Sequence, residues 1–281
     1  MNRLLIFGLG YSGAAIARDA RGAGFEVTAT SRAGIPGTIR FDAAEAAIDA
    51  ATHLLTTAGP DAGDDPVLAR YRDRIAAAPA LRWIGYLSTT AVYGNRDGGW
   101  VDEDTPPAPT QDRGALRLAV EHEWAAFAGR CAVDIFRLAG IYGPGRSALD
   151  DVRSGRARRV IKPGHQFGRI HRDDIALAVV AAMRQDPPPG KRVFNLADDV
   201  PSESAAVVAE AATLLNAPEP PAFAFADIEA AMSPMARSFW AENRRISNTK
   251  TKAALGIAWR YPSYREGLRA ILAEEAGERR P

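Results

Sequence analysis

Residues 3–17 read RLLIFGLGYSGAAIA. An apolar run stops at Gly8, three glycines follow as Gly8, Gly10 and Gly13, and the Ala-rich stretch 13–24 continues with helical composition up to Gly24, a C-cap residue. This is strand, G-x-G-x-x-G, helix, and in that setting each glycine has a separate task. One makes the tight turn, one lets backbone approach a pyrophosphate, and one lets helix and strand pack closely. Tyr11 and Ser12 lie between them as the first helical residues, where free N–H groups face an anion. The segment therefore predicts the opening of a dinucleotide-binding unit.

Outward from it, short strand-like runs alternate with helical ones: strands at 25–32, 38–42, 52–59, 81–88 and 131–140, helices at 45–51, 66–78 and 113–129. This alternation predicts an α/β fold, a doubly wound parallel sheet of the Rossmann type, with ligands bound beyond the carboxyl ends of the strands. Past Gly145 the rhythm changes to helix plus loop. A strand-like run at 192–198 and a helix at 202–214 follow, then a Pro-rich connector at 216–222 and a helical, basic tail. The expected division is a dinucleotide-binding domain over 1–145, rejoined by 168–200, and a smaller substrate lobe of 146–167 and 201–281.

Composition narrows the function. With 47% hydrophobic and 25% charged residues the chain has an ordinary globular balance, and a net charge of +1 supplies no field for nucleic acid or an anionic membrane. The longest apolar run, 175–183, is too short to span a bilayer, and the N-terminal run, broken by Gly8 and Gly10, reads as a strand rather than a signal peptide. The only cysteine, Cys131, begins an apolar strand, which predicts a core thiol and suits the reducing cytoplasm. No His, Cys, Asp or Glu cluster has metal-ligand spacing, and no nucleophile elbow appears.

The end of the second strand selects the dinucleotide. An NAD site wants an acid there for the ribose 2′-OH; this chain has TATSRA, and Ser31 with Arg32 can receive a 2′-phosphate instead. NADP is therefore expected rather than NAD. Asp42, after the third strand, is placed to meet the adenine amino group. Thr57, Ala58 and Gly59, after the fourth, can line the diphosphate and ribose.

With GLGYSG at 8–13, YLSTTAVYG at 86–94, RLAGIYGPG at 137–145 and RIHRDDIA at 169–176, the chain resembles an extended short-chain dehydrogenase/reductase of the nucleotide-sugar epimerase/dehydratase type, over nearly its whole length and in the family's motif order. The resemblance implies a dinucleotide on a Rossmann sheet and a small-molecule substrate oxidised or reduced at the nicotinamide. It implies that the Thr89 hydroxyl binds the reacting oxygen and that Leu138, Ala139, Gly140 and Ile141 lie near the nicotinamide. Members commonly dimerise through the helices here at 66–78 and 113–129, where Tyr71, Ile75, Trp124 and Phe127 would supply apolar surface for a homodimer.

One departure stands out. The family's Tyr-x-x-x-Lys matches Arg113 and Arg117. An arginine keeps its proton in a protein, so neither is a general base. Arg117 can still supply the lysine's positive charge near the nicotinamide ribose, and the pair can hold a carboxylate or phosphate. The bland alternative is a solvated helix face, with Arg117 paired to Glu121 one turn on. As substitute proton carriers, Tyr93 and Tyr142 belong to family turns, His53 begins a buried strand, His122 faces outward, and His171 precedes Asp173, the expected cap of helix 174–184. Two functions follow: an atypical NADP-dependent oxidoreductase or epimerase/dehydratase acting on a small anionic or carbonyl-bearing substrate, or a non-catalytic NADP-binding sensor or scaffold that kept the pocket and lost the tyrosine.

Overall fold

A computed structural model describes residues 1–60 and 63–278. The first half of the chain runs β1 Arg3–Phe7, α1 Tyr11–Gly22, β2 Glu26–Ser31, β3 Ile39–Arg40, α2 Glu45–Ala50, β4 His53–Thr56, α3 Pro66–Ala77, β5 Trp83–Thr89, β6 Trp100–Val101, α4 Asp112–Ala125 and β7 Ala132–Leu138. It continues with β8 Gly140–Tyr142, α5 Ala148–Arg153, β9 Arg159–Ile161, β10 Arg169–His171, α6 Arg172–Arg184 and β11 Gly190–Leu196. The remainder is α7 Ser204–Leu214, β12 Ala222–Ala224, α8 Phe225–Ile228, α9 Pro234–Trp240, β13 Arg245–Ile246, α10 Thr249–Leu255 and α11 Tyr264–Glu278.

Seven strands form one parallel sheet in the order β11-β7-β5-β4-β1-β2-β3. From β1 the chain first winds outward through β2 and β3, then returns to β4 on the other side of β1 and winds the opposite way. The reversal opens a crevice at the carboxyl ends of β1 and β4, where Phe7 faces Thr56 in register.

Strand alternation explains how the sheet is covered. Along β1, Leu4 and Ile6 enter one core with Ile16 of α1, Val179 and Met183 of α6, and Phe136 and Phe194 of the sheet. Leu5 and Phe7 enter the opposite core with Ile48, Tyr71, Ile75, Val120, Trp124 and Phe127. Both faces are closed by helices, and each large side chain buried there contributes about 1.5–3 kcal/mol. A third cluster of Tyr142, Leu149, Val207, Tyr264, Leu268 and Ile271 packs α5, α7 and α11 together.

Several boundaries shift from the sequence expectation. The third strand is only Ile39–Arg40, because Phe41–Ala43 turn as a single 3-10 turn. The helix after the fifth strand ends at Ala125 and tightens into a 3-10 turn over Ala126–Gly129. Leu255 and Trp259, in the tail expected to belong to the lobe, pack into the α1–α6 core instead. β13 pairs with β6, which laces the tail back to the first half of the chain.

Candidate functional site

The three glycines differ in what surrounds them. Gly8 has φ +97°, a left-handed conformation that side chains resist, and a Cβ there would lie 2.8 Å from Thr57 Oγ1. A Cβ on Gly13 would fall on the Gly8 carbonyl oxygen, so this glycine lets α1 press against the end of β1. Gly10 is the opposite case: its added Cβ would have nothing within 4 Å. Gly10 is also the N-cap of α1 and provides no side-chain cap, so the first-turn N–H groups open into that free space. The Thr57 hydroxyl donates to Gly8 O at 2.7 Å and locks the loop to the end of β4. A loop fixed on both sides and open at Gly10 and the helix end fits a diphosphate.

Tyr11 extends this cradle toward the lobe. Its hydroxyl donates to Pro144 O at 2.9 Å, and the guanidiniums of Arg172 and Arg146 lie 5.1 and 5.8 Å from its ring centroid. Two cations thus gather beside the positive end of a helix, an arrangement that favours an anion. Ser12 is buried behind Tyr11.

At the end of β2, Ser31 shapes the loop: its oxygen accepts from Ile35 N at 3.0 Å and shares a hydrogen bond with the Thr38 hydroxyl at 2.8 Å. Arg32 is exposed and makes no salt bridge among the described residues. Asp42, expected at the adenine, is gripped by Arg40 at 2.9 and 2.8 Å, and that contact draws its carboxyl below the usual range. The sequence reading missed Arg40. It pairs in register with Ser31, so a second guanidinium belongs to this strand end, a placement only the β2–β3 register reveals.

At the end of β5, the half-buried Thr89 accepts from Ala91 N at 3.2 Å and so caps the turn Thr90–Tyr93, leaving its hydroxyl hydrogen to donate elsewhere. Gly114 of α4 lets that helix touch the same turn; a Cβ there would meet Ala91 O at 2.8 Å. The Arg117–Glu121 pair expected on the outer face of α4 does not form. Glu121 turns inward, where it binds Arg137 at 2.7 Å and accepts the Ser88 hydroxyl at 2.6 Å. Arg117 instead donates to Leu87 O at 2.8 Å, lies 5.2 Å from the Tyr86 ring centroid, and comes within 3.2 Å of where a Gly59 Cβ would sit. It therefore stands between the ends of β4 and β5, beside Thr57, Ala58 and Gly59. Arg113, one turn earlier and exposed, reaches Met235 Sδ of α9 at 3.6 Å.

Leu138 and Ala139 are buried at the end of β7, and Gly140 with Ile141 opens β8, which pairs with β10. Gly140 N donates to Gly168 O at 3.1 Å, so this loop is stitched to the lobe side of the cleft.

No family model matches the chain. A solved structure of a functionally unknown conserved protein from Silicibacter pomeroyi is 44% identical, superposes with a TM-score of 0.90, and is matched over 98% of this chain and 99% of that one. The chain belongs to one family with that protein. The Escherichia coli K12 protein YeeZ is 28% identical over 224 residues, covering 70% of this chain and 77% of that protein. The structure of the human epimerase family protein SDR39U1 with NADPH shares the fold at a TM-score of 0.78 and 20% identity, over 96% of this chain and 99% of that one.

The candidate proton carriers are not poised near neutrality. Burial pushes up the phenols of Tyr86, Tyr93, Tyr142 and Tyr11. Tyr93 donates to Asn195 Oδ1 at 2.8 Å and Tyr142 to Ser263 O at 3.3 Å. Burial holds His53 and His171 down to about 4, so both rings are neutral. His171, not Asp173, caps α6: its Nδ1 accepts from Asp173 N at 3.2 Å, while the Asp173 carboxylate takes Arg18 at 3.0 Å. Burial pushes the Cys131 thiol up to about 11, which leaves it an unreactive core group. Among the described residues no three His, Cys, Asp or Glu side chains gather as a metal site, and no helix is long and apolar enough to cross a membrane.

The apolar basis expected for a homodimer is absent from the surface. Tyr71, Ile75, Trp124 and Phe127 are all buried within the chain, where Trp124 Nε1 donates to Asp65 Oδ2 at 3.1 Å. The outer side of α3 carries Arg70, Arg72, Asp73 and Arg74 instead.

Proposed function

We propose that the protein binds NADP and acts as an oxidoreductase or epimerase/dehydratase-type enzyme on a small anionic or carbonyl-bearing molecule. The observation that carries this reading is Gly10: it closes no protein contact, yet it sits at an uncapped helix end between two glycines whose packing holds the loop in place. Arg32, with Arg40 nearby and no acid at the end of β2, supports NADP over NAD. The NADPH in the human SDR39U1 structure supports the same choice. Arg117 supplies positive charge beside the nicotinamide ribose, and Leu138, Ala139, Gly140 and Ile141 form that end of the cleft.

A nicotinamide held there would supply hydride transfer chemistry to a substrate carbon. Thr89 donates to the reacting oxygen, and Arg113 with Arg117 holds an anionic group. Because neither arginine can release a proton and the hydroxyls of Tyr11, Tyr93 and Tyr142 are committed to oxygen acceptors of the chain, the proton comes from water or from the substrate. The single buried thiol and the absence of any basic excess support a cytoplasmic protein that binds no nucleic acid.

The tyrosines also favour a second reading, a non-catalytic NADP-binding sensor or scaffold. NADPH fluorescence separates the two. Consumption of NADPH with one of a panel of carbonyl compounds and nucleotide sugars supports the enzyme. Saturable binding without consumption across the panel supports the sensor, and no binding at all overturns both.

A further inference from the structure

The mouth of the cleft lies between the N-terminal end of α4 and helix α9, and the two sides have opposite chemistry. On the α4 side stand Arg113 and Arg117, four residues apart and so on one helix face. Among the described residues neither makes a salt bridge; Arg117 is held by a carbonyl and an aromatic ring, Arg113 only by a thioether. Arg113 is moreover in the first turn of a helix that has no side-chain cap, where the helix dipole opposes a cation and welcomes an anion.

On the α9 side the facing groups are apolar. Met235 and Phe239, also four residues apart, are each 57% exposed, while Trp240 turns inward against His165, Phe167 and Phe225. Ala241 ends α9, and the two residues that follow it, Glu242 and Asn243, anchor the helix. Glu242 accepts the Thr110 hydroxyl at 2.6 Å, and Asn243 N donates to Asn95 Oδ1 at 2.8 Å, so the helix is tied to the loop that leads into α4. The Arg113–Met235 contact brings the exposed methionine of α9 against the first arginine of α4.

We propose that this mouth takes an amphipathic organic acid, its carboxylate on Arg113 and Arg117 and its alkyl or aromatic body on Met235 and Phe239. The inference rests on reading the cleft as a cofactor-and-substrate site, and it narrows the substrate to a class. A planar guanidinium fork suits a carboxylate, and a polarisable methionine beside an aromatic ring suits a flat or branched apolar body. A sugar ring, covered with hydroxyls, would leave both apolar side chains unmatched.

Phenylacetate is an unreactive probe of this class, with acetate and benzyl alcohol as its separated halves. Titration calorimetry on the full chain, with and without saturating NADPH, should show phenylacetate binding at least tenfold more tightly than either half. Arg113→Met should bring it to the level of benzyl alcohol, and the double variant Met235→Ser, Phe239→Ser to the level of acetate. Phenylacetate no tighter than acetate, or unchanged in Arg113→Met, overturns the proposal. NADPH is titrated separately into each variant: failure of NADPH to bind the unmodified chain contradicts the cofactor reading, whereas NADPH binding without phenylacetate selectivity contradicts only the substrate class.

Discussion

Glu121 and Arg137 meet at 2.7 Å with 6% of each side chain exposed. The pair joins α4 to β7 beneath the cleft, and Arg137 lies 4.8 Å from the Tyr93 ring centroid while Ser88 donates to the same carboxylate. Because Arg137 occupies Glu121, Arg117 has no free anion one turn on along α4 and turns to the ends of β4 and β5. The buried pair therefore sets the charge of the site without entering it.

Breaking that pair should be far worse than replacing it. Glu121→Ala leaves a buried guanidinium uncompensated and should cost about 3–5 kcal/mol, whereas Glu121→Leu with Arg137→Met should cost much less. Urea denaturation followed by tryptophan fluorescence measures both; equal losses for single and double variants would show that the charge plays no such part.

In the proposed NADP site, Arg32 takes the 2′-phosphate. Its replacement by Ala removes one charge-assisted phosphate contact worth ~1.5–3 kcal/mol, so NADPH affinity should fall about ten- to a hundredfold while NADH affinity stays the same. Parallel fluorescence titrations of the two dinucleotides check this, and equal losses for both would place Arg32 elsewhere.

Stability should pass through a maximum near neutrality. His53, His165 and His171 are held near 4 by burial, below the 6.5 of an unfolded histidine, so the unfolded chain binds more protons and stability falls as pH drops from 6.5 toward 4. Asp198 behaves oppositely. Burial raises its carboxyl to about 8 from 3.8, so the folded chain holds the extra proton and stability falls as pH rises through that window. Among the described residues neither Asp198 oxygen has a hydrogen-bond partner, which lets an amide replace it. Asp198→Asn should flatten the decline between pH 6.5 and 8 and steepen the rise between pH 4 and 6.5, as read from melting temperature against pH.

The parts of this site legible in the sequence are those whose neighbours lie close along the chain. Gly8, Gly10 and Gly13 act on one another and on the adjoining strand and helix, so spacing alone assigns their roles. The local pattern of apolar residues likewise places Cys131, His53 and His122. The illegible parts depend on partners far away in sequence: Glu121 finds Arg137, Asp173 finds Arg18 across 155 residues, and Arg40 joins Ser31 only through strand register. The apolar side chains on α3 and α4 read equally well as surface or core, and only the packing against the sheet puts Tyr71 and Trp124 inside. The chemistry of α9 is invisible in the sequence because Met235 and Phe239 acquire meaning from Arg113, 122 residues from Met235.

The central claim is that the open space at Gly10 belongs to a dinucleotide. Gly10 has φ −84°, which any residue adopts, and an added methyl meets no protein atom within 4 Å. Gly10→Ala should therefore fold with a melting temperature equal to or slightly above that of the unmodified chain, since alanine also restricts the unfolded state. The measurement is an NADPH titration of both chains. The account predicts saturable binding by the unmodified chain and a loss of at least about tenfold, or ~1.4 kcal/mol, in Gly10→Ala at undiminished stability. Equal NADPH binding by the two chains, or none by the unmodified one, would contradict it.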